Sequence, residues 1–193
     1  MIKAIIFDAY GVLITDALVP MIEARRTTDP DGARQASDLL RATSRGLVVY
    51  GDFVEQMADI MGMNAGALQR IADSGEAKNA PLLGFILELR RQYKTAVLSN
   101  ISMQGFWRRF SREELNTYFD VVVPSAEIGF IKPEPEAYTI TAEKLGVAPD
   151  QCIMVDDRQA CVDGARAVGM QAILYQSLQE LAEELARFGA VPV

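Results

Sequence analysis

Five short apolar runs punctuate the chain: Ile2–Phe7, Thr95–Leu98, Val121–Val123, Cys152–Val155 and Gln171–Leu174. They are β-branched or aliphatic and show no clean alternation, the pattern of strands buried on both faces of a parallel sheet. Segments of helical spacing separate the last four. Pro81–Tyr93 carries Leu82, Leu83, Phe85, Ile86 and Leu89 on one side. Ser102–Tyr118 follows the second run. Pro133–Leu145 follows the third, with prolines confined to its first turn, where the helix tolerates them. Ala160–Val168 follows the fourth and stops at Gly169, a residue suited to a helix C-terminus. This alternation predicts a doubly wound α/β fold around a five-stranded, Rossmann-like parallel sheet.

One stretch breaks the alternation. Between about Thr15 and Asn79 the apolar spacing is helical throughout, with helices expected over Pro30–Thr43, Asp52–Met61 and Asn64–Ser74, and Asp52 and Asn64 as N-caps. The expected organisation is an α/β core of residues 1–14 and 80–193, with a small all-helical cap of residues 15–79 inserted after the first strand. The crossings at Ile14–Asp16 and Asn79–Pro81 would be its hinges.

Composition narrows the chemistry. Half of the 193 residues are hydrophobic and 23% are charged, enough apolar material for a real core. The net charge of −7 argues against a nucleic-acid binder, which needs a basic face, but leaves small anionic substrates open. The opening MIKAIIF is too short for a signal peptide or membrane span, and Cys152 and Cys161 form no CxxC pair. A reducing, cytoplasmic setting is expected. The chain has no histidine, which removes Ser-His-Asp and Cys-His catalysis and His-ligated zinc.

In an open parallel sheet, ligands bind beyond the carboxyl ends of the strands. The first run leads into Asp8-Ala9-Tyr10-Gly11, the second into Ser99-Asn100, the third through a loop to Lys132-Pro133, and the fourth into Asp156-Asp157-Arg158. Each alone reads as a turn, a cap or a solvated loop. Together they deliver three carboxylates, an ammonium, a hydroxyl and an amide to one rim.

The set resembles the four motifs of the haloacid dehalogenase-like (HAD) hydrolase superfamily. FDAYGVL is similar to the first, LSN to the second, IKPEPEAY to the third and MVDDRQACVDGARAVGM to the fourth. The helical insert falls where that family carries its small cap. The resemblance implies that Asp8 is a covalent nucleophile forming an aspartyl-phosphate, that Ser99 and Asn100 bind phosphoryl oxygens, and that Lys132 neutralises nucleophile and phosphate. It further implies that Mg²⁺ is held by Asp8, the backbone carbonyl of Tyr10 and Asp157, with Asp156 beside it, and that Gly11 permits the tight turn. Electrostatics points the same way, because three crowded carboxylates with one ammonium favour a hard cation with oxygen ligands. The implied substrate is a small phosphorylated molecule.

Tyr10 departs from the phosphatase pattern, which has a second Asp there to protonate the leaving group and activate water. A phenol is a poor base at neutral pH, and losing general acid-base help slows turnover by roughly 10²–10⁴-fold. Three functions follow. The leading one is a slow or specialised Mg²⁺-dependent phosphatase. The second is a metal-free L-2-haloacid dehalogenase, with an ester intermediate on Asp8. Those enzymes resemble this chain in having Tyr at that position, and Tyr138 fits their third motif, but Val12 and the acidic pair do not fit. The third is a relative that uses the pocket for binding or regulation. Arg25 and Arg26 either reach over the site from the cap or form a solvated helix face. Phe106 and Trp107 are expected to pack rather than to stack bases, and Arg158 to pair with an acid.

Overall fold

The structure, a computed structural model, describes residues 1–190; the last three residues of the expected 80–193 segment lie outside them. Strand β1 (Ala4–Phe7) leads into four helices, α1 (Leu18–Arg25), α2 (Pro30–Ser44), α3 (Tyr50–Ile60) and α4 (Ala65–Gly75). Then come α5 (Ala80–Leu89), β2 (Lys94–Ser99), α6 (Met103–Trp107), α7 (Arg112–Tyr118), β3 (Val121–Pro124) and α8 (Ser125–Ile128). The chain continues with α9 (Pro135–Leu145), β4 (Cys152–Asp156), α10 (Gln159–Ala167), β5 (Gln171–Leu174) and α11 (Leu178–Arg187).

The five strands form one parallel sheet in the order β3-β2-β1-β4-β5. Alternate residues of each strand feed opposite faces, so the sheet has two cores. Ile5, Phe7, Val97, Ile153 and Val155 pack with Leu82, Ile86, Phe106, Leu181 and Leu185 of α5, α6 and α11. Ala4, Ile6, Leu98 and Met154 pack with Ala137, Tyr138, Val162 and Ala165 of α9 and α10. With both faces covered, the strands need no polar alternation, as the apolar runs indicated. The connection from β1 leads to β2 on one side, and that from β3 crosses to β4 on the other. The switch point therefore lies between the carboxyl ends of β1 and β4, where crevices form in such sheets.

Helices α1–α4 surround a third cluster that includes Ile22, Ala36, Phe53, Met57 and Leu68. The segments entering and leaving this bundle run side by side. Ile14 bridges antiparallel to Lys78, the Thr15 amide donates to the Ala77 carbonyl, and the Asn79 amide donates to the Leu13 carbonyl.

Several boundaries correct the expectations. Asn64 does cap α4, its side chain accepting from the Ala67 amide. Asp52 is not a cap: α3 starts at Tyr50, and Asp52 lies in its first turn, where a carboxylate favours the helix dipole. The single helix expected over Ser102–Tyr118 is two, because Ser111 and Glu114 form a capping box that starts a fresh helix. Helices α1, α8 and α11 were not anticipated. Among the described residues, no helix is long and apolar enough to cross a membrane.

Candidate active site

Phe7 pairs with Val97 on one side and Val155 on the other, so Asp8 and Asp156 leave the sheet level with each other. Asp8 is anchored by its own amide, which donates to the Val155 carbonyl. Its Oδ1 accepts from the Ala9 amide at 2.7 Å and from Lys132 Nζ at 2.8 Å, while Oδ2 has no hydrogen-bond partner among the described residues. One carboxylate oxygen is thus fixed and the other left available.

Lys132 is the hub. Its buried ammonium lies 2.8 Å from Asp8 and 2.6 Å from Asp156 Oδ2. Burial works against the ammonium, yet the two carboxylates hold its pKa above the usual lysine value. Asn100 holds the Lys132 backbone by both ends of its amide: Oδ1 accepts from the Lys132 amide at 2.8 Å, and Nδ2 donates to its carbonyl at 2.9 Å. The side chain that the sequence suggested for phosphate is thus bonded to the backbone of the lysine. Ser99, buried at the end of β2, lines the cavity with Asp8, and its hydroxyl has no hydrogen-bond partner among the described residues.

The fourth strand divides the acidic pair. Asp156 is fully buried, and both its oxygens are used, Oδ2 by Lys132 and Oδ1 by the Arg158 amide at 3.0 Å. Asp157 is exposed to the cavity and makes no hydrogen bond or ion pair among the described residues. Burial first, then Asp8 and Asp156, push its pKa up to about 6. Gly11, at φ +86°, is obligatory here. A Cβ on it would meet Asp157 Oδ2 at 2.0 Å, so the turn after Asp8 and Asp157 are packed against each other.

The donor set fits a hard divalent cation. Oxygens of Asp8, Asp156 and Asp157 lie within 4.8 Å of one another, and the Tyr10 carbonyl accepts no hydrogen bond among the described residues. Three carboxylates face one bound ammonium, with the Arg158 guanidinium near them but unpaired among the described residues. Burial raises the pKa of Asp8, and of its neighbours Lys132 lowers it while Asp156 raises it, so the cluster is short of positive charge.

Sequence reasoning missed a second polar group. The Tyr10 hydroxyl donates to Glu76 Oε2 at 3.1 Å, and Glu76 also binds Arg109. Burial and then the Glu76 carboxylate push the Tyr10 phenol well above its ordinary pKa. Glu76 follows α4 with no flanking pattern to mark it. Two other links cross from the helical bundle to the rim: the Ser44 hydroxyl donates to the Asn100 carbonyl, and Arg45 pairs with Glu134, whose carboxylate accepts from the Ile131 amide.

The remaining candidates are placed elsewhere. The Tyr138 hydroxyl is buried against the Cys161 carbonyl at 2.7 Å. Arg25 pairs with Asp29 and Arg26 with Glu23, both local contacts. Phe106 is core, and Trp107 lies under Arg112. Arg158, by contrast, stays at the site: its side chain makes no ion pair among the described residues but lines the cavity near Asp8, Asp156 and Asp157.

A family model described as haloacid dehalogenase-like hydrolase matches residues 2–169. The chain belongs to this family and is a hydrolase. It is 37% identical to phosphatase MT3486 of Mycobacterium tuberculosis over 107 residues, 53% of this chain and 49% of that protein, so the match spans about half of this relative. It is 25% identical to a phosphorylated carbohydrates phosphatase of Thermotoga maritima, covering 89% of this chain and 83% of that one. It is also 26% identical to an (S)-2-haloacid dehalogenase of Xanthobacter autotrophicus, over 100% and 83%. A HAD family enzyme from Bacteroides thetaiotaomicron, crystallised with magnesium and inorganic phosphate, shares the fold with a TM-score of 0.75 at 20% identity, covering 94% of this chain and 99% of that one.

Proposed function

We propose that the chain is a magnesium-dependent phosphomonoesterase working through an aspartyl-phosphate on Asp8, with residues 15–79 as a cap over the site. The observation that carries this is the Lys132 ammonium between Asp8 and Asp156 with Asp157 alongside, a nucleophile set among charges that one lysine does not balance.

Asp8 Oδ2 attacks phosphorus while Lys132 holds Oδ1. The ester P–O bond breaks, and the leaving oxygen takes a proton from water. Ser99 donates to a phosphoryl oxygen. Water then attacks phosphorus and passes a proton to the hydroxide left by the first step, the P–O bond to Asp8 breaks with its electrons returning to the carboxylate, and phosphate leaves. Asp8, the Tyr10 carbonyl and Asp157 would hold Mg²⁺ directly. Asp156, both of whose oxygens are engaged, would steer Lys132 and contribute charge. The ion supplies positive charge that offsets repulsion between carboxylates and phosphate and polarises the phosphoryl group.

The dehalogenase alternative rests on Tyr10. Against it, the Tyr138 hydroxyl is engaged with a backbone carbonyl, and a haloacid carboxylate would enter beside three carboxylates. The test is a paired assay: phosphate release from an aryl phosphate with and without Mg²⁺, and halide release from a 2-haloacid. The expected result is Mg²⁺-dependent phosphate release, lost by at least about 10⁴-fold in Asp8→Asn. Halide release without metal would overturn it in favour of the dehalogenase.

A further inference from the structure

The rim opens into a cavity of about 760 Å³ between the sheet and the helical bundle. That is the size of a site for a drug-sized molecule, much larger than a phosphate needs. Its far walls come from the inserted helices and are apolar. Leu18 and Met21 of α1, Leu40 of α2, Tyr50 and Phe53 of α3 and Leu68 of α4 all line it.

The polar side chains of that chamber are largely spent on the protein. Glu76 receives both Tyr10 and Arg109. Arg108 is bound to Asp73, and Arg45 to Glu134. The hydroxyls of Ser37, Thr43 and Ser44 donate to the carbonyls of Ala33, Leu39 and Asn100. Beyond the rim, Arg41, Gln69 and the Tyr50 hydroxyl are the lining groups with no hydrogen bond or ion pair among the described residues, and Arg41 is exposed.

A polyol phosphate entering this space would bury several hydroxyls against three unengaged groups of the chamber and, at its mouth, the Arg158 guanidinium. A buried hydroxyl without a partner loses roughly 5- to 100-fold in affinity. An aliphatic chain gains from the same walls. We infer that the substrate is an amphiphilic phosphate monoester, with its phosphate at Asp8 and a hydrocarbon chain in the chamber, rather than a sugar or sugar-alcohol phosphate. This rests on the phosphatase proposal above.

The test is a chain-length series on the full chain with Mg²⁺: n-alkyl phosphates from ethyl to decyl, below their micelle concentrations, alongside a pentitol phosphate and an aryl phosphate. kcat/KM is expected to rise by up to about fourfold per methylene buried, until the chamber is filled. Pentyl phosphate is expected to exceed the pentitol phosphate by at least 30-fold. Leu40→Asn is expected to lower the decyl-to-ethyl ratio by tenfold or more. The series on the unmodified chain decides the matter even if that variant folds poorly. A flat series, or a pentitol phosphate that matches pentyl phosphate, would overturn the inference while aryl phosphate hydrolysis leaves the phosphatase proposal standing. No phosphate release from any ester would remove both.

Discussion

The rim and the chamber share one cavity but are built on different principles. The rim is polar and over-determined. Asp8 is fixed by Ala9 and Lys132, Lys132 by Asp156 and Asn100, and Asp156 by Arg158. Strand register sets these positions. The chamber is apolar, and helix faces set its walls. On the function proposed above, the rim fixes the chemistry and the chamber sets what can accompany the phosphate.

The sharpest way to break this comparison is to remove the hub. In Lys132→Met, Asp8 and Asp156 face each other in a buried setting without a cation. Removing one partner of a buried ion pair costs about 3–5 kcal/mol. For a chain of this size, that lowers Tm by roughly 10 °C. Calorimetry in a metal chelator should show this loss, and phosphate release should vanish. Added Mg²⁺ should return part of the lost stability. An unchanged Tm would mean that the ammonium does not bridge the two carboxylates.

How much of each region the sequence disclosed follows from the same difference. Asp8, Ser99, Lys132 and Asp157 were legible because each sits a residue or a short loop beyond an apolar run, and a parallel sheet sends all such positions to one edge. The contact of Asn100 with Lys132 was not legible, because the partner of its amide is 32 residues away. Glu76 was invisible for the same reason, since its contacts with Tyr10 and Arg109 depend on where the bundle settles over the core. In the bundle itself, apolar spacing gave three of four helices. It could not say which apolar side chains line the cavity and which fill the cluster around Met57.

Tyr10 lies where the two regions meet, and its substitution gives a smaller effect. Its hydroxyl donates to Glu76 and its pKa is pushed up, so it does not serve as a base. Tyr10→Asp would place a carboxylate at the position of the missing acid-base group, with Arg109 close enough to offset some of the repulsion from Glu76. The alkyl phosphate rate should rise by roughly 10²-fold, the low end of general acid-base catalysis, and the aryl phosphate rate by much less. Measuring kcat/KM for both esters checks this. Equal gains would show that leaving-group protonation is not what Tyr10 withholds.

The subtlest effect is on stability, and it separates what the rim does for catalysis from what it does for folding. The pKa of Asp157 is pushed from an ordinary 3.8 up to about 6. The folded chain thus binds this proton more tightly than the unfolded chain does. Below about pH 4 both states are protonated and the residue is neutral toward stability. As pH rises from 4 to 6, the unfolded chain ionises first and folding loses free energy, and above 6 the full penalty stands. Asp157→Asn removes the ionisation. In a chelator it should raise Tm by a few degrees at pH 7.5, by less at pH 5, and by nothing near pH 4. With Mg²⁺ the order should reverse at pH 7.5, because the unmodified chain gains a ligand that the variant binds poorly. The same proton should weaken Mg²⁺ binding tenfold per pH unit below about 6. Melting curves for both proteins, with and without metal across that range, test all of this together. A variant less stable than the unmodified chain in chelator at pH 7.5 would mean that Asp157 supports the fold rather than straining it, and that the rim's negative charge is already balanced.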